Sequence, residues 1–495
     1  MIPAYPNYAQ GLSHATPFNY TQHVPLFIYG PGFVRPGVYP DQAGLVDIAP
    51  TTASLLRFHG FSAPDGVPLD EALLPPEERT LPKVIVTMVW DSAGMDLLDR
   101  WPNAWPYLRS IRDQGAWFPN AFVDASPSNT PPSHAAIGTG AYPRRHGLVD
   151  EFFRIDGQLT TPMARGTAFL EEPTIADIYD RAMGNEPVVG ILASISAHIP
   201  MMGHGSQWQG GDEDIAVTRE PNGAVTGGDE TAPKWQLTDT VAPWYRFPSY
   251  VNDPSLDDVF TRAKDQLDRR DGRRDGKWRD LDIEALNGGF NTPARTPWQT
   301  AIIEAVVERE GFGADDTPDL LYINYKAIDT IGHMFSADGI ELSDTLKVQD
   351  ANLEDFVDLM NRQVGERQWA MILTADHGMQ RDPATTGAFV MDVKAIAARI
   401  EETFGNGPGG PVIEKLRPTE AWFNGGSLEA SGFTLEQVAG FVMGLTQEQT
   451  QGSSVASEPV PGHEQEQVFA AAFPSRLLDE MQCIPDTYPA GRARG

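Results

Sequence analysis

Four short apolar runs, three of them closing on an aspartate, constrain this chain more than any other feature. VPLFIYG (24–30), KVIVTMVWD (83–91), DLLYINYKAID (319–329) and WAMILTADHG (369–378) each suit one buried strand. Sequences with helical spacing lie between them: DIAPTTASLLRFHG, WQTAIIEAVVEREG and TLKVQDANLEDFVDLMNRQVG. Strands alternating with helices predict an α/β fold, its sheet mostly parallel and sandwiched by helices. In such sheets ligands gather at the carboxyl ends of the strands. A buried strand gains nothing structural from an ionised carboxylate there, so Asp91, Asp329 and Asp376 are candidates for chemistry. For any one of them alone, a helix cap is the structural alternative.

Asp329 and His333 are four residues apart, a spacing that puts both side chains on one face of a helical turn. Asp376 and His377 are adjacent and follow a strand. Carboxylate oxygen mixed with imidazole nitrogen suits Zn²⁺ or a similar borderline cation better than Ca²⁺ or Mg²⁺. Thr130 stands directly before Pro131, which predicts that it is the N-cap of a helix. A plain capping hydroxyl is the structural reading. A hydroxyl so placed also faces the positive end of the helix dipole, where a phosphoryl group is favoured, and a metal ion beside it makes it an activated nucleophile. Ser133, on the first turn of the same helix, is a candidate substrate-binding residue.

Composition bounds the partners. A chain of 495 residues can hold one large core and a smaller satellite, and 47 glycines and 41 prolines with 41% apolar residues describe a loop-rich globular protein. The lone Cys483 can form no internal disulfide and no thiol chelate. A formal net charge of −31 excludes wrapping a nucleic-acid polymer and requires metal ions for any phosphate chemistry, so the expected partner is a small phosphate ester. No apolar run approaches the roughly 20 residues of a membrane helix. MIPAYPNYAQ lacks the basic start and apolar core of a secretory signal, so the expected location is cytoplasmic, with no membrane partner.

Taken together, Asp91, TPPSH (130–134), TGAYPRRHG (139–147), DTIGH (329–333) and TADHGM (374–379) resemble the alkaline phosphatase superfamily, and more closely its nucleotide pyrophosphatase/phosphodiesterase branch. The resemblance covers most of residues 83–403. It implies two zinc ions: one on Asp91, Asp376, His377 and the Thr130 oxygen, the other on Asp329, His333 and one further histidine. In the family that histidine arrives late, in a run like T-H-G-S-P-Y-x-Y-D-x-H-V-P-L-L-x-Y-G-P-G. SHATPFNYTQHVPLFIYGPGF (13–33) matches that run, which makes His14 the missing ligand and His463, in PVPGHEQEQ, its rival. VDIAPTTASLLRFHGF and DGVPL resemble the family's closing helix and tail, so the chain looks circularly permuted. His23 fits a supporting or core position, His134 and His146 fit structural ones, and His198 and His204 stay unassigned.

The implied organisation is a permuted core segment (1–64), a Pro-rich linker (65–82), core with the nucleophile (83–204), an inserted lid (205–297), core with metal ligands (298–404) and a small C-terminal unit (405–495). The run RRDGRRDG reads as a solvated face, and Trp208, Trp235, Trp244 and Tyr245 either stack on a substrate ring or pack internally. The implied reaction is a two-step displacement through phospho-threonine at Thr130.

Two departures bear on the substrate. Monoesterases of this kind carry a Lys-x-Arg pair that grips the terminal phosphate, and here Ala193 and Ile195 stand at those positions. Without the pair a dianionic monoester loses its charge partners, which favours a phosphodiesterase or nucleotide pyrophosphatase. The alternatives are a phosphomonoesterase or phosphonate hydrolase whose lid supplies cations, Arg219 or Arg246 for example, or a catalytically retired metal-binding protein. The second departure is Glu151, a substrate-binding candidate standing near the place where family diesterases have a donor asparagine. An ionised glutamate repels the substrate, so it is protonated, paired with a cationic group of the substrate, bound to another ion, or out of register.

Overall fold

The computed structural model describes residues 2–3, 13–219, 235–405, 407–417, 419–452 and 458–480. Cys483 and the stretch 220–234 lie outside them. The central sheet has eight strands: β1 (Leu26–Tyr29), β2 (Gly37–Val38), β3 (Val84–Trp90), β4 (Ala116–Trp117), β5 (Val189–Leu192), β6 (Ile215–Val217), β7 (Asp319–Tyr325) and β8 (Trp369–Thr374). Their order is β6-β5-β7-β3-β8-β1-β4-β2. Every pairing from β6 through to β8 is parallel, as is β4 with β2, whereas β1 runs antiparallel to both neighbours. The sheet is therefore mostly parallel, as expected, and β3, β7 and β8 are buried along their whole length.

Register explains why the acids meet. Tyr325 pairs with Trp90, and Thr374 with Val89, so the three central strands end level. The residues that follow, Asp91, Lys326 and Ala375–Asp376, leave the sheet side by side. The antiparallel β1 pairs Leu26 with Thr374, so the chain leading into β1 lies on that same edge, which is how the N-terminal segment reaches the site.

Three expected boundaries move. Strand β6 lies inside the region read as an inserted lid, yet IAV (215–217) pairs with β5 as the edge of the sheet; a run so short leaves little periodicity to read. Residues 65–82, expected as a linker, bury Leu69, Ala72 and Leu73 in the main core, and Asp65 pairs with Arg144 and Arg145. The helix Val393–Phe404 belongs with the C-terminal unit: its Ile396, Ile400 and Phe404 pack with Val412, Leu428, Val438, Val442 and Phe469 in a second core. Helix Pro254–Asp268 lays Phe260 on Trp298 of helix Arg295–Glu310, ring centres 4.9 Å apart. Trp235 and Tyr245 are buried packing residues, whereas Trp244 is exposed. The RRDGRRDG arginines are exposed and pair with Asp265, Asp271 and Asp344. Among the described residues no helix is long and apolar enough to cross a membrane.

Candidate metal and nucleophile site

Two groups of ligand-type side chains stand at the carboxyl edge of the sheet. The first joins His14, Asp329 and His333, whose donor atoms lie within 4.8 Å of one another. Helix Ala327–Phe335 starts directly after β7 and carries Asp329 and His333 one turn apart, Nε2 to Oδ1 3.4 Å. His14 Nε2 lies 3.6 Å from the same oxygen. His14 Nδ1 is 2.9 Å from the carbonyl of Ser128, which can only accept, so Nδ1 carries the proton and Nε2 presents its lone pair to the group.

The second group is Asp91, Asp376 and His377, again with donors within 4.8 Å, all fully buried. His377 Nε2 lies 3.2 Å from Asp376 Oδ2 and 3.8 Å from Asp91 Oδ1. The stacked rings of His14 and His377, centroids 3.6 Å apart, join the two groups. Ser92, at φ +65°, ties them further: its Oγ donates to Asp329 Oδ1 at 2.7 Å and its N–H to Asp376 Oδ1 at 3.1 Å.

Lys326, which the motifs did not single out, stands between the groups. Its Nζ is 2.8 Å from Asp91 Oδ1, 2.8 Å from Asp329 Oδ2 and 3.1 Å from Thr130 Oγ1. Burial pushes the Asp91 and Asp329 carboxyls up, but the Lys326 ammonium together with the neighbouring imidazoles, His198 and His377 at Asp91 and His333 and His14 at Asp329, holds both well below the usual carboxylate range. Asp376 goes the other way, raised by burial and by the Asp91 carboxylate. Burial lowers His14 and His377, keeping both imidazoles neutral and able to ligate.

This donor set fits divalent metal. Three buried carboxylates face one ammonium, leaving excess negative charge, and Asp376 Oδ2 is buried without a hydrogen bond. Three imidazoles beside three carboxylates make a mixed nitrogen and oxygen donor set of the kind that borderline divalent cations take.

Thr130 opens the helix Thr130–Thr139, its oxygen 3.4 Å from His377 Nε2. The cap itself is Asn129, one residue before the expected position: Asn129 is extended, and Thr130 already has helical geometry ahead of Pro131. Ser133 is buried one turn along, and its Oγ has no hydrogen-bond partner. Glu151 is not brought into either group. It pairs with Arg417 from the C-terminal unit, while its neighbour Asp150 accepts from Asn129 Nδ2 at 2.5 Å. The repulsive charge thus has its cation within the chain, a partner no local pattern signals.

Two further histidines border the second group: donor atoms of Asp91, His134 and His198 also lie within 4.8 Å of one another. His134 Nδ1 donates to the Thr130 carbonyl at 2.8 Å, and its Nε2 is 3.0 Å from Asn324 Nδ2. His198 Nε2 lies 3.3 Å from Asp91 Oδ2, which gives it a place the sequence did not. His204 pairs with Asp177 at 2.7 Å, His146 is buried behind the helix Thr130–Thr139, and His23 stacks on Phe122. His463 is paired with Glu466 in the C-terminal unit and joins neither group.

Where the Lys-x-Arg pair is missing, Ala193 is fully buried, and Ser194 Oγ accepts from Arg295 Nη2 at 2.6 Å. The Arg219 backbone N–H donates to the Ser194 carbonyl, and the Arg219 guanidinium shares the Phe290 ring with that of Arg295, at 3.6 and 3.9 Å from the centroid.

A family model described as type I phosphodiesterase / nucleotide pyrophosphatase matches residues 85–426. Among curated proteins, alkaline phosphatase PafA of Elizabethkingia meningoseptica is 24% identical over 405 residues, 73% of this chain and 72% of that protein. Alkaline phosphatase PhoV of Synechococcus elongatus is 22% identical over 347 residues, 62% of this chain and 61% of the other. The crystal structure of wild-type PafA superposes with a TM-score of 0.59 at 20% identity, covering 78% of this chain and 82% of PafA, which shows the shared fold.

Proposed function

The chain belongs to the type I phosphodiesterase / nucleotide pyrophosphatase family, within the alkaline phosphatase superfamily, and from that premise we propose that it hydrolyses small phosphoric esters through a phospho-threonine at Thr130. The carrying observation is the position of the Thr130 oxygen. It stands at a helix N-terminus, 3.4 Å from His377 Nε2 and 3.1 Å from Lys326 Nζ, between two groups of ligand-type side chains.

Two divalent cations, Zn²⁺ by donor chemistry, would sit on Asp91–Asp376–His377 and on His14–Asp329–His333 and would supply Lewis-acid stabilisation of phosphoryl charge. The rest follows from the chain. The Lys326 ammonium favours the alkoxide form of Thr130 and shields the incoming phosphate from Asp91 and Asp329. Pro131 and Pro132 have no N–H and the Ser133 N–H is taken by the Asn129 carbonyl, so the Thr130 N–H is the donor this helix N-terminus offers a phosphoryl oxygen. Ser92 and Ser128 hold Asp329 and His14 in fixed orientations. Under this reading His14 takes the place of the family's late histidine and the chain is a circular permutant. Support comes from a family match that starts only at residue 85, after a segment whose β1 and His14 lie on the site's edge.

Thr130→Ala tests the reading. Turnover of an aryl phosphate or bis-aryl phosphate should fall by at least about 10³-fold with metal content retained. An unchanged rate rejects the nucleophile, and a wild-type protein that holds metal yet turns over no ester rejects the hydrolase.

A further inference from the structure

Arg295 is a buried cation without an anion. It is 3% exposed, and its guanidinium donates to two neutral hydroxyls, Thr330 Oγ1 at 2.9 Å and Ser194 Oγ at 2.6 Å, and stacks on Phe290. No carboxylate among the described residues forms an ion pair with it. A desolvated charge is expensive unless a counter-charge arrives. Burial and the nearby Arg219 pull its pKa down to about 9, against the smaller attraction of the Asp329 and Asp91 carboxylates.

Its position says where the anion sits. Thr330 follows Asp329 in the chain and carries no charge of its own, its Oγ1 accepting from Arg295 and donating to the Lys326 carbonyl. Ser194 lies just past the end of β5, level with the edge where Asp91 and Lys326 emerge: Leu192 pairs with Ile323 on β7. The helix Arg295–Glu310 delivers one guanidinium to Ser194 Oγ, and the segment after β6 brings the Arg219 guanidinium onto the same Phe290 ring that Arg295 covers. These cations come from segments more than 20 residues removed from the Ala193–Ile195 stretch, so no local motif contains them.

We propose that Arg295, with Lys326 on the Thr130 side, forms a binding subsite for the doubly charged phosphoryl group of a monoester or phosphonate, replacing the cation pair that Ala193 and Ile195 lack. The subsite rests on the phosphoric-ester reading above and narrows its substrate class. A planar guanidinium can grip two phosphoryl oxygens at once, and Lys326 adds a point charge next to the reacting oxygen. A diester, with one negative charge and one fewer free oxygen, leaves part of this charge unused. Under this proposal Arg295 and Lys326 make good the absence of cations that favoured a diester.

The test compares the metal-loaded wild type with Arg295→Gln and Arg295→Lys. Two measurements are made: kcat/KM for an aryl phosphate against a bis-aryl phosphate, and the rise in melting temperature produced by inorganic phosphate. Arg295→Gln should lose about 10- to 100-fold more on the monoester than on the diester, and its phosphate-induced shift should shrink. Arg295→Lys should recover part of both. The phosphate shift reads the subsite without turnover and can be repeated in Thr130→Ala, which separates failure of the subsite from failure of the hydrolase reading. Equal losses on both esters, or an undiminished phosphate shift in Arg295→Gln, overturn the subsite. If Arg295→Gln does not fold, Arg295→Lys alone decides: an unchanged monoester-to-diester ratio and an unchanged phosphate shift overturn it.

Discussion

His14 Nδ1 donates to the carbonyl oxygen of Ser128, 2.9 Å away and 114 residues along the chain. The bond fixes which imidazole nitrogen faces Asp329 and His333, so one of the candidate metal positions depends on the N-terminal segment. His14→Ala should leave the protein folded but lower its metal content by about one equivalent and its turnover by at least about 10²-fold. His463→Ala should change neither. Elemental analysis and ester turnover check both, and full metal content in His14→Ala removes His14 from the ligand set.

Much of this site is legible in the sequence, for a physical reason. Asp91, Asp329 and Asp376 each end an apolar run, and parallel strands in register bring such ends together, so local pattern and global geometry agree. His14 is legible through the run that follows it. Lys326 and Arg295 are not, because a lysine after a strand and an arginine opening a helix are ordinary surface residues by pattern, and burial alone makes them unusual. Arg417 is hidden for a similar reason: it lies 266 residues from Glu151, on another core. Boundaries fail where elements are short, as with β6 and the Asn129 cap.

Arg417 also makes a stability prediction. It pairs with Glu151 and lies 3.8 Å from Glu420, which burial and Asp150 push up to about 8. Removing the cation leaves carboxylates crowded without a counter-charge. Arg417→Met should cost roughly 2 kcal/mol in chemical denaturation, and adding Glu151→Gln should restore part of it. Additive losses in the double variant would show that the pair does not couple.

A separate acidic group sets a pH dependence. Donor oxygens of Asp180, Asp212 and Asp214 lie within 4.8 Å of one another, and burial followed by Asp212 raises Asp180 to about 7. A carboxyl raised above its unfolded value near 3.9 binds its proton more tightly when folded. Its contribution is therefore greatest below about pH 4 and is lost as pH rises through 7. Asp180→Asn removes the ionisation. The melting temperature of Asp180→Asn minus that of the wild type should be more positive at pH 8 than at pH 5; an equal difference at both refutes the assignment.

Gly378 carries the last prediction, because it joins the N-terminal segment to the metal ligands. It follows His377 directly, and its N–H donates to the Thr21 carbonyl at 2.9 Å. A Cβ there would stand 2.0 Å from the Tyr20 carbonyl oxygen and 3.2 Å from the Thr21 Cα, both backbone atoms that cannot rotate away. Gly378→Ala must therefore shift either the Tyr20–Thr21 backbone, and with it the chain from His14 to β1, or the loop holding Asp376 and His377. Overpacking of this kind costs about 1–3 kcal/mol. Both movements also separate the stacked rings of His14 and His377. Gly378→Ala should lower the melting temperature and weaken metal retention together during titration with a chelator. Gly387, where a Cβ would meet nothing within 4 Å, provides the control: Gly387→Ala, although strained at φ +68°, should leave chelator sensitivity unchanged. Wild-type metal retention in Gly378→Ala would show that the N-terminal segment and the Asp376–His377 loop do not bear on each other.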